Sequence, residues 1–206
     1  AERQRVLDAD ARGPQFHDID VQSATSEAGA TLTRQEDGSY LASGTRPPKD
    51  VYRLDVQVPA GNLDGQPVTG FELELLTHAA LPKKGPGWAD NGNFVLSEFT
   101  VDRASADPAN GEATRLAFAG ATADFAQKGF DVAQAIDGSE EGNGWAIAPQ
   151  MSKDHRAVFV LKEPLANEGL DAAFVIRLVQ RYRSPHPIGR FRVRAMTGLP
   201  VDSLGL

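Results

Sequence analysis

Two glycine-rich stretches concentrate the side chains able to do chemistry. The first is LPKKGPGWADNG, residues 81–92, with three glycines and two prolines that favour turns. It carries Lys83, Lys84, Trp88, Asp90 and Asn91. An exposed indole on a stiff loop is a stacking platform for a sugar ring, whose C–H groups lie against the π face. The lysines, Asp90 and Asn91 would then reach hydroxyls or an acidic substituent. The competing reading is that Trp88 folds back as a plug over the end of the fold.

The second stretch is IDGSEEGNGW, residues 136–145. It crowds Asp137, Glu140, Glu141 and Asn143 into one loop. Hard Ca2+ takes carboxylate, amide and backbone oxygens of this kind. The spacing is not that of an EF-hand, which alternates its acidic positions and ends on a distant Glu. Asp137, Glu140 and Asn143 are therefore candidate ligands of a structural Ca2+, with an acidic solvated turn as the alternative. Trp145 heads the apolar run Trp145-Ala146-Ile147 and reads as core.

His17, His78, His155 and His186 lie in four separate regions with no paired spacing, so a zinc site would need long-range convergence. His186 and Tyr182, in YRSPHP, sit between two strand patterns and are further candidate ligand contacts. For His186 a hydrogen bond that stiffens its own loop is the alternative. No nucleophile elbow, phosphate-binding glycine loop or metalloprotease helix occurs, and no enzyme is expected. Glu72 and Glu98 fall at outward positions of alternating segments, where a solvated Glu is common. With no cysteine there is no thiolate, disulfide or Cys-ligated zinc, and no attachment of a c-type haem within this segment.

The elements that must position these loops are short and alternating. Period-two patterns occupy residues 30–35, 39–43, 51–58, 69–76, 93–101, 114–118, 156–161, 174–180 and 189–196. Asp37-Gly38 between the first two marks a hairpin. Tyr52, Leu54, Val56 and Val58 share one face, as do Phe71, Leu73 and Leu75, and both faces read as core. One turn of helix is expected at residues 124–128 and another at 131–136. Many strands with no crossover helix imply an all-β, antiparallel β-sandwich of jelly-roll type with few short helices. The expected organisation is an N-terminal linker over residues 1–28, one sandwich over 29–198 and a tail over 199–206. A split into two sandwiches near residues 104–114 is the alternative, because SADPANGEA is linker-like. Both ends read as cuts in a longer chain.

A net charge of −7 argues against nucleic acid, which needs a basic patch. The one basic excess, Arg177 to Arg194, alternates with Phe191 and Val193 near its end and reads as the wet face of a strand. No apolar run approaches the ~18 residues of a membrane span.

Five motifs carry a resemblance: NGNFVLSEFTV, ATADFAQKGFDVAQAIDG, GWAIAPQ, HRAVFVLKEPL and HPIGRFRVRA, in that order across residues 30–197. Together they resemble the segment between the conserved domains of large planctomycete cytochrome-c-type surface proteins. The resemblance implies an exported multidomain protein (periplasmic, cell-surface or secreted), with haem carried elsewhere. AIDGSEEGNGW is also similar to the Ala-x-Asp-Gly…Trp motif of discoidin-type, galactose-binding-like domains, in which that Asp helps hold a structural calcium. This carries over to Asp137 alone, since the Thr before the Trp is missing. The expected function is a non-catalytic carbohydrate-binding module, its partners a polysaccharide or glycan and the neighbouring domains. The alternative is a structural sandwich that positions those neighbours.

Overall fold

The computed structural model describes residues 13–105, 112–166 and 172–198. The expected tail, the first part of the N-terminal linker and the middle of SADPANGEA lie outside these. The described strands are β1 (Gln15–Asp18), β2 (Asp20–Ser26), β3 (Ala30–Arg34), β4 (Tyr40–Gly44), β5 (Asp50–Val58) and β6 (Val68–Leu75). They continue as β7 (Glu98–Arg103), β8 (Thr114–Arg115), β9 (Phe118–Ala123), β10 (His155–Leu165), β11 (Ala172–Gln180) and β12 (Arg190–Thr197). One sheet runs β3-β4-β12-β6-β10-β9, with β1 also beside β12, and the other runs β2-β5-β11-β7-β8. The pairings are antiparallel, so the protein is an all-β sandwich. Strands from both sides of residues 106–111 share each sheet. Among the described residues no helix is long and apolar enough to cross a membrane.

The alternation sets which side chains meet between the sheets. Tyr52, Leu54, Val56 and Val58 of β5 are buried, as are Phe71, Leu73 and Leu75 of β6. Aromatic rings bridge the two layers. Phe99 of β7 stacks on Phe159 of β10 with centroids 4.2 Å apart. Phe71 of β6 meets Phe174 of β11 edge-on at 5.6 Å. Tyr52 stacks on Phe191 of β12 at 5.6 Å, and its hydroxyl donates to the Ile188 carbonyl at 2.9 Å. A buried phenol needs such a partner.

The outer face of the larger sheet carries cross-strand ion pairs. Register sets Arg192 against Glu74 and Arg194 against Glu72, and both pairs close to 2.6 Å. Glu72 is not the solvated glutamate expected. Its strand is central in the sheet and its side chain is fully buried. That burial raises its pKa against the pull of Arg194.

Four local expectations change. Residues 15–26, placed in the linker, form β1 and β2, whose mixed polar sequence QFHD and DVQSATS hides the alternation. Residues 93–97 are irregular and core-packed rather than strand, and β7 begins only at Glu98. The segment expected as one strand at 114–118 divides, with β8 in one sheet and β9 in the other. Of the two helical turns, residues 124–128 form none, Gln127 bridging to Phe130 instead, and residues 132–136 form a 3-10 turn. Asp131 and Gln134 cap it reciprocally.

The layer of bridging rings makes a direct prediction. Phe99→Ala should cost about 3–5 kcal/mol in urea unfolding. Lys162→Ala, at an exposed side chain of β10, should stay within about 0.5 kcal/mol.

Candidate functional site

The strand ends at Leu75, His155 and Arg190 in one sheet, and at Asp50, Glu98 and Gln180 in the other, fall at one pole of the sandwich. The long connections between them, residues 76–97, 124–154 and 181–189, therefore collect there. All three candidate loops of the sequence belong to this pole.

Backbone contacts lock the loops to one another. Gly87 bridges to Ile188, Trp88 N donates to Pro187 O at 2.8 Å, and Val95 N donates to His186 O at 2.9 Å. Leu96 and Trp145 exchange two backbone bonds of 2.9 Å. Gly144, at φ +70, lies so close to Leu96 that a Cβ there would collide with its carbonyl. Asn93 ties the loops from beneath, since its buried amide donates to Gln127 Oε1 and accepts from Ile147 N.

Trp88 is half-buried and packs against the core, neither fully exposed nor a closed plug. Arg46, in the loop after β4, donates to the Trp88 carbonyl at 2.9 Å and pairs with Asp90 at 2.7 Å. Asn91 Oδ1 accepts from Asn93 N at 3.0 Å and so shapes its own turn. Lys83 and Lys84 are exposed at φ 55 and 57, with no ion-pair partner among the described residues. Tyr182 lies edge-on to His186 at 5.7 Å and to half-buried Phe130 at 5.6 Å. The Arg183 guanidinium sits 5.4 Å above the Tyr182 ring. His186 Nδ1 is 2.9 Å from Ser184 Oγ, so its ring does stiffen its own loop while remaining half-buried.

The acidic loop is occupied by protein contacts. Asp137 Oδ1 accepts from Ser139 N at 2.8 Å. Glu140 pairs with Arg181 at 2.5 Å and Glu141 with Lys49 at 2.6 Å. Asn143 donates to Gly129 O at 3.2 Å. Among the described residues no three His, Cys, Asp or Glu side chains are grouped to hold a metal.

The residue that sequence reasoning missed here is Glu98. It points away from the core, as expected, but it is only 6% exposed. Its Oε1 accepts from Gly138 N at 3.3 Å, and its Oε2 is buried without a hydrogen-bond partner. Thr100 Oγ1, two residues along the same face, is also unpartnered and buried. Oxygens left this way suit a hard cation or, for the carboxyl, a proton. Burial pushes the Glu98 pKa up first. The Gly138 amide opposes this, and the Asp137 and Glu140 charges add to it, for a value of about 7. Nothing in the spacing announces the pairing, because Glu98 and Gly138 are 40 residues apart.

A carboxyl raised from 4.5 to about 7 holds its proton in the folded state after the unfolded chain has lost it. Its contribution to stability is thus complete below pH 4.5 and is lost as pH climbs through about 7. In chelator, the melting temperature of Glu98→Gln relative to wild type should rise from pH 5 to about pH 7 and level off above it. A constant difference would contradict this. No protein-family model matches the chain, and no curated protein matches it.

Proposed function

We propose that this domain is a non-catalytic carbohydrate-binding module of a larger exported protein, one of the cytochrome-associated planctomycete type its motifs resemble. The supporting observation is the gathering of Trp88, Tyr182 and His186, all half-buried, at one pole beside the unpaired cations Lys83 and Lys84. Half-buried rings are held in place yet keep part of their surface for a ligand. That combination limits the ordering cost of binding. Sugar C–H groups would lie on the Trp88 and Tyr182 rings. Lys83 and Lys84 would meet carboxylate or sulfate groups, which favours an acidic glycan. Asp90, held by Arg46, and Asn91, held in its turn, would accept hydroxyl hydrogens.

In the same reading a structural Ca2+ would bind beside the acidic loop. The buried Glu98 oxygen and the Asp137 carboxylate would be its protein ligands, with Glu140 and Asn143 of the same loop exchanging their present partners for it. The ion would neutralise charge that the loop otherwise concentrates.

Affinity electrophoresis in acidic and neutral polysaccharides tests the module. Wild type should be retarded by the acidic polymer, and Trp88→Ala should weaken this about tenfold, equivalent to about 1.4 kcal/mol. Equal migration of the two proteins, or no retardation in any gel, would count against it. Excess chelator should lower the melting temperature, because a ligand of the native state alone stabilises it. An unchanged melting temperature would remove the calcium.

A further inference from the structure

Phe130 completes a group of three rings at the pole. It enters from the connection between β9 and β10, whereas Tyr182 and His186 come from the connection between β11 and β12. Phe130 and Tyr182 meet edge-on with centroids 5.6 Å apart, and Tyr182 and His186 do so at 5.7 Å. All three rings are half-buried, so each is held and each keeps some open surface. Ser184 Oγ lies 2.9 Å from His186 Nδ1, which fixes the imidazole and leaves its Nε2 without a hydrogen-bond partner among the described residues. The Tyr182 hydroxyl has none among them either.

A cation is fixed on the middle ring. The Arg183 guanidinium lies over Tyr182, 5.4 Å from its centroid. Arg183 is exposed and has no ion-pair or hydrogen-bond partner among the described residues. Arg194 lies over Phe16 at the same 5.4 Å, but it spends its donors on Glu72 and Glu74. Arg183 thus has the ring and lacks the acid, in a chain whose acids outnumber its bases. The acids nearest these residues are engaged. Asp131, next to Phe130, accepts from Ala133 N, and Glu140 pairs with Arg181, next to Tyr182. A ring against a guanidinium restrains it while its N–H edge stays free, so little freedom is left to lose on binding. That edge matches the two oxygens of a planar carboxylate.

We propose that Arg183 binds the carboxylate of a hexuronate whose sugar ring is held on Phe130 and Tyr182, so that the pole takes a uronic-acid glycan. This rests on the carbohydrate reading of the pole and names its substrate class. Phe130 and Arg183 lie 5.6 and 5.4 Å from the Tyr182 centroid, so one stacked sugar and its carboxylate reach both. In a hexuronate the carboxylate is bonded directly to a ring carbon, and stacking the ring fixes where the charge falls. A sulfate ester hangs on an extra oxygen with its own rotations and meets the fixed fork at a greater ordering cost. Lys83 and Lys84, as flexible point charges, distinguish less between the two anions.

Chemical-shift titrations of the whole chain at pH 7 with trigalacturonate, its methyl ester, a sulfated galactotriose and triglutamate test it. Trigalacturonate should bind at least about tenfold more tightly than each of the others. Arg183→Lys keeps the charge and loses the fork, and should shrink the preference for the acid over its ester at least about fivefold. Phe130→Leu should weaken acid and ester alike, by about fivefold. Equal affinity for trigalacturonate and its ester, triglutamate binding as tightly as trigalacturonate, or an unaltered preference in folded Arg183→Lys would overturn the proposal. Tighter binding of the sulfated sugar would overturn it and leave the pole a carbohydrate site. Absence of binding by every sugar would overturn both.

Discussion

The structure depends on aromatic contact between its two sheets. Each sheet has one apolar side, and the two apolar sides bury each other away from water. The Phe99–Phe159 stack, with planes only 12° apart, joins β7 of one sheet to β10 of the other, and Phe71–Phe174 and Tyr52–Phe191 do so beside it. These contacts fix the strand ends, and the strand ends fix where the loops meet. Phe94 extends the layer towards the pole by meeting Trp145 edge-on at 5.1 Å. Trp145 in turn gives its ring N–H to the Phe125 carbonyl at 2.9 Å. The candidate loops are thus extensions of the core rather than appendages on it.

The same geometry explains the buried acids. Glu72 and Glu98 both leave the core side of their strands, yet neither reaches water freely. Glu72 lies in a central strand and keeps its charge partner, Arg194, at 2.6 Å. Glu98 has a single backbone donor and two acidic neighbours instead. Equal positions in an alternating pattern therefore meet different partners, although burial raises the pKa of both. One acid is part of an ion-pair ladder, and the other is a poised group beneath a loop.

This difference marks what was legible in the amino-acid order. Period two told which side of a strand each residue occupies, so Tyr52 and Phe71 were placed correctly in the core, and the apolar run at 145–147 placed Trp145 there. It could not tell depth on the outer side, which depends on what loop folds over it. That is why Glu98 reads as solvated. It also fails where polar residues fill both faces, as in β1 and β2, whose burial is only partial. The convergence of residues 81–92, 136–145 and 181–189 was likewise invisible, because it follows from strand order in space. Each loop's composition was readable alone.

The pole and its rings carry the central claim, and a map of binding across the whole chain examines it most directly. Backbone amide shifts should be followed while an acidic oligosaccharide is added. The account predicts changes concentrated at residues 82–92 and 181–187, with the strands of both sheets quiet. Changes at the opposite end of the sandwich, around residues 59–67, or none at all at saturating sugar, would contradict it.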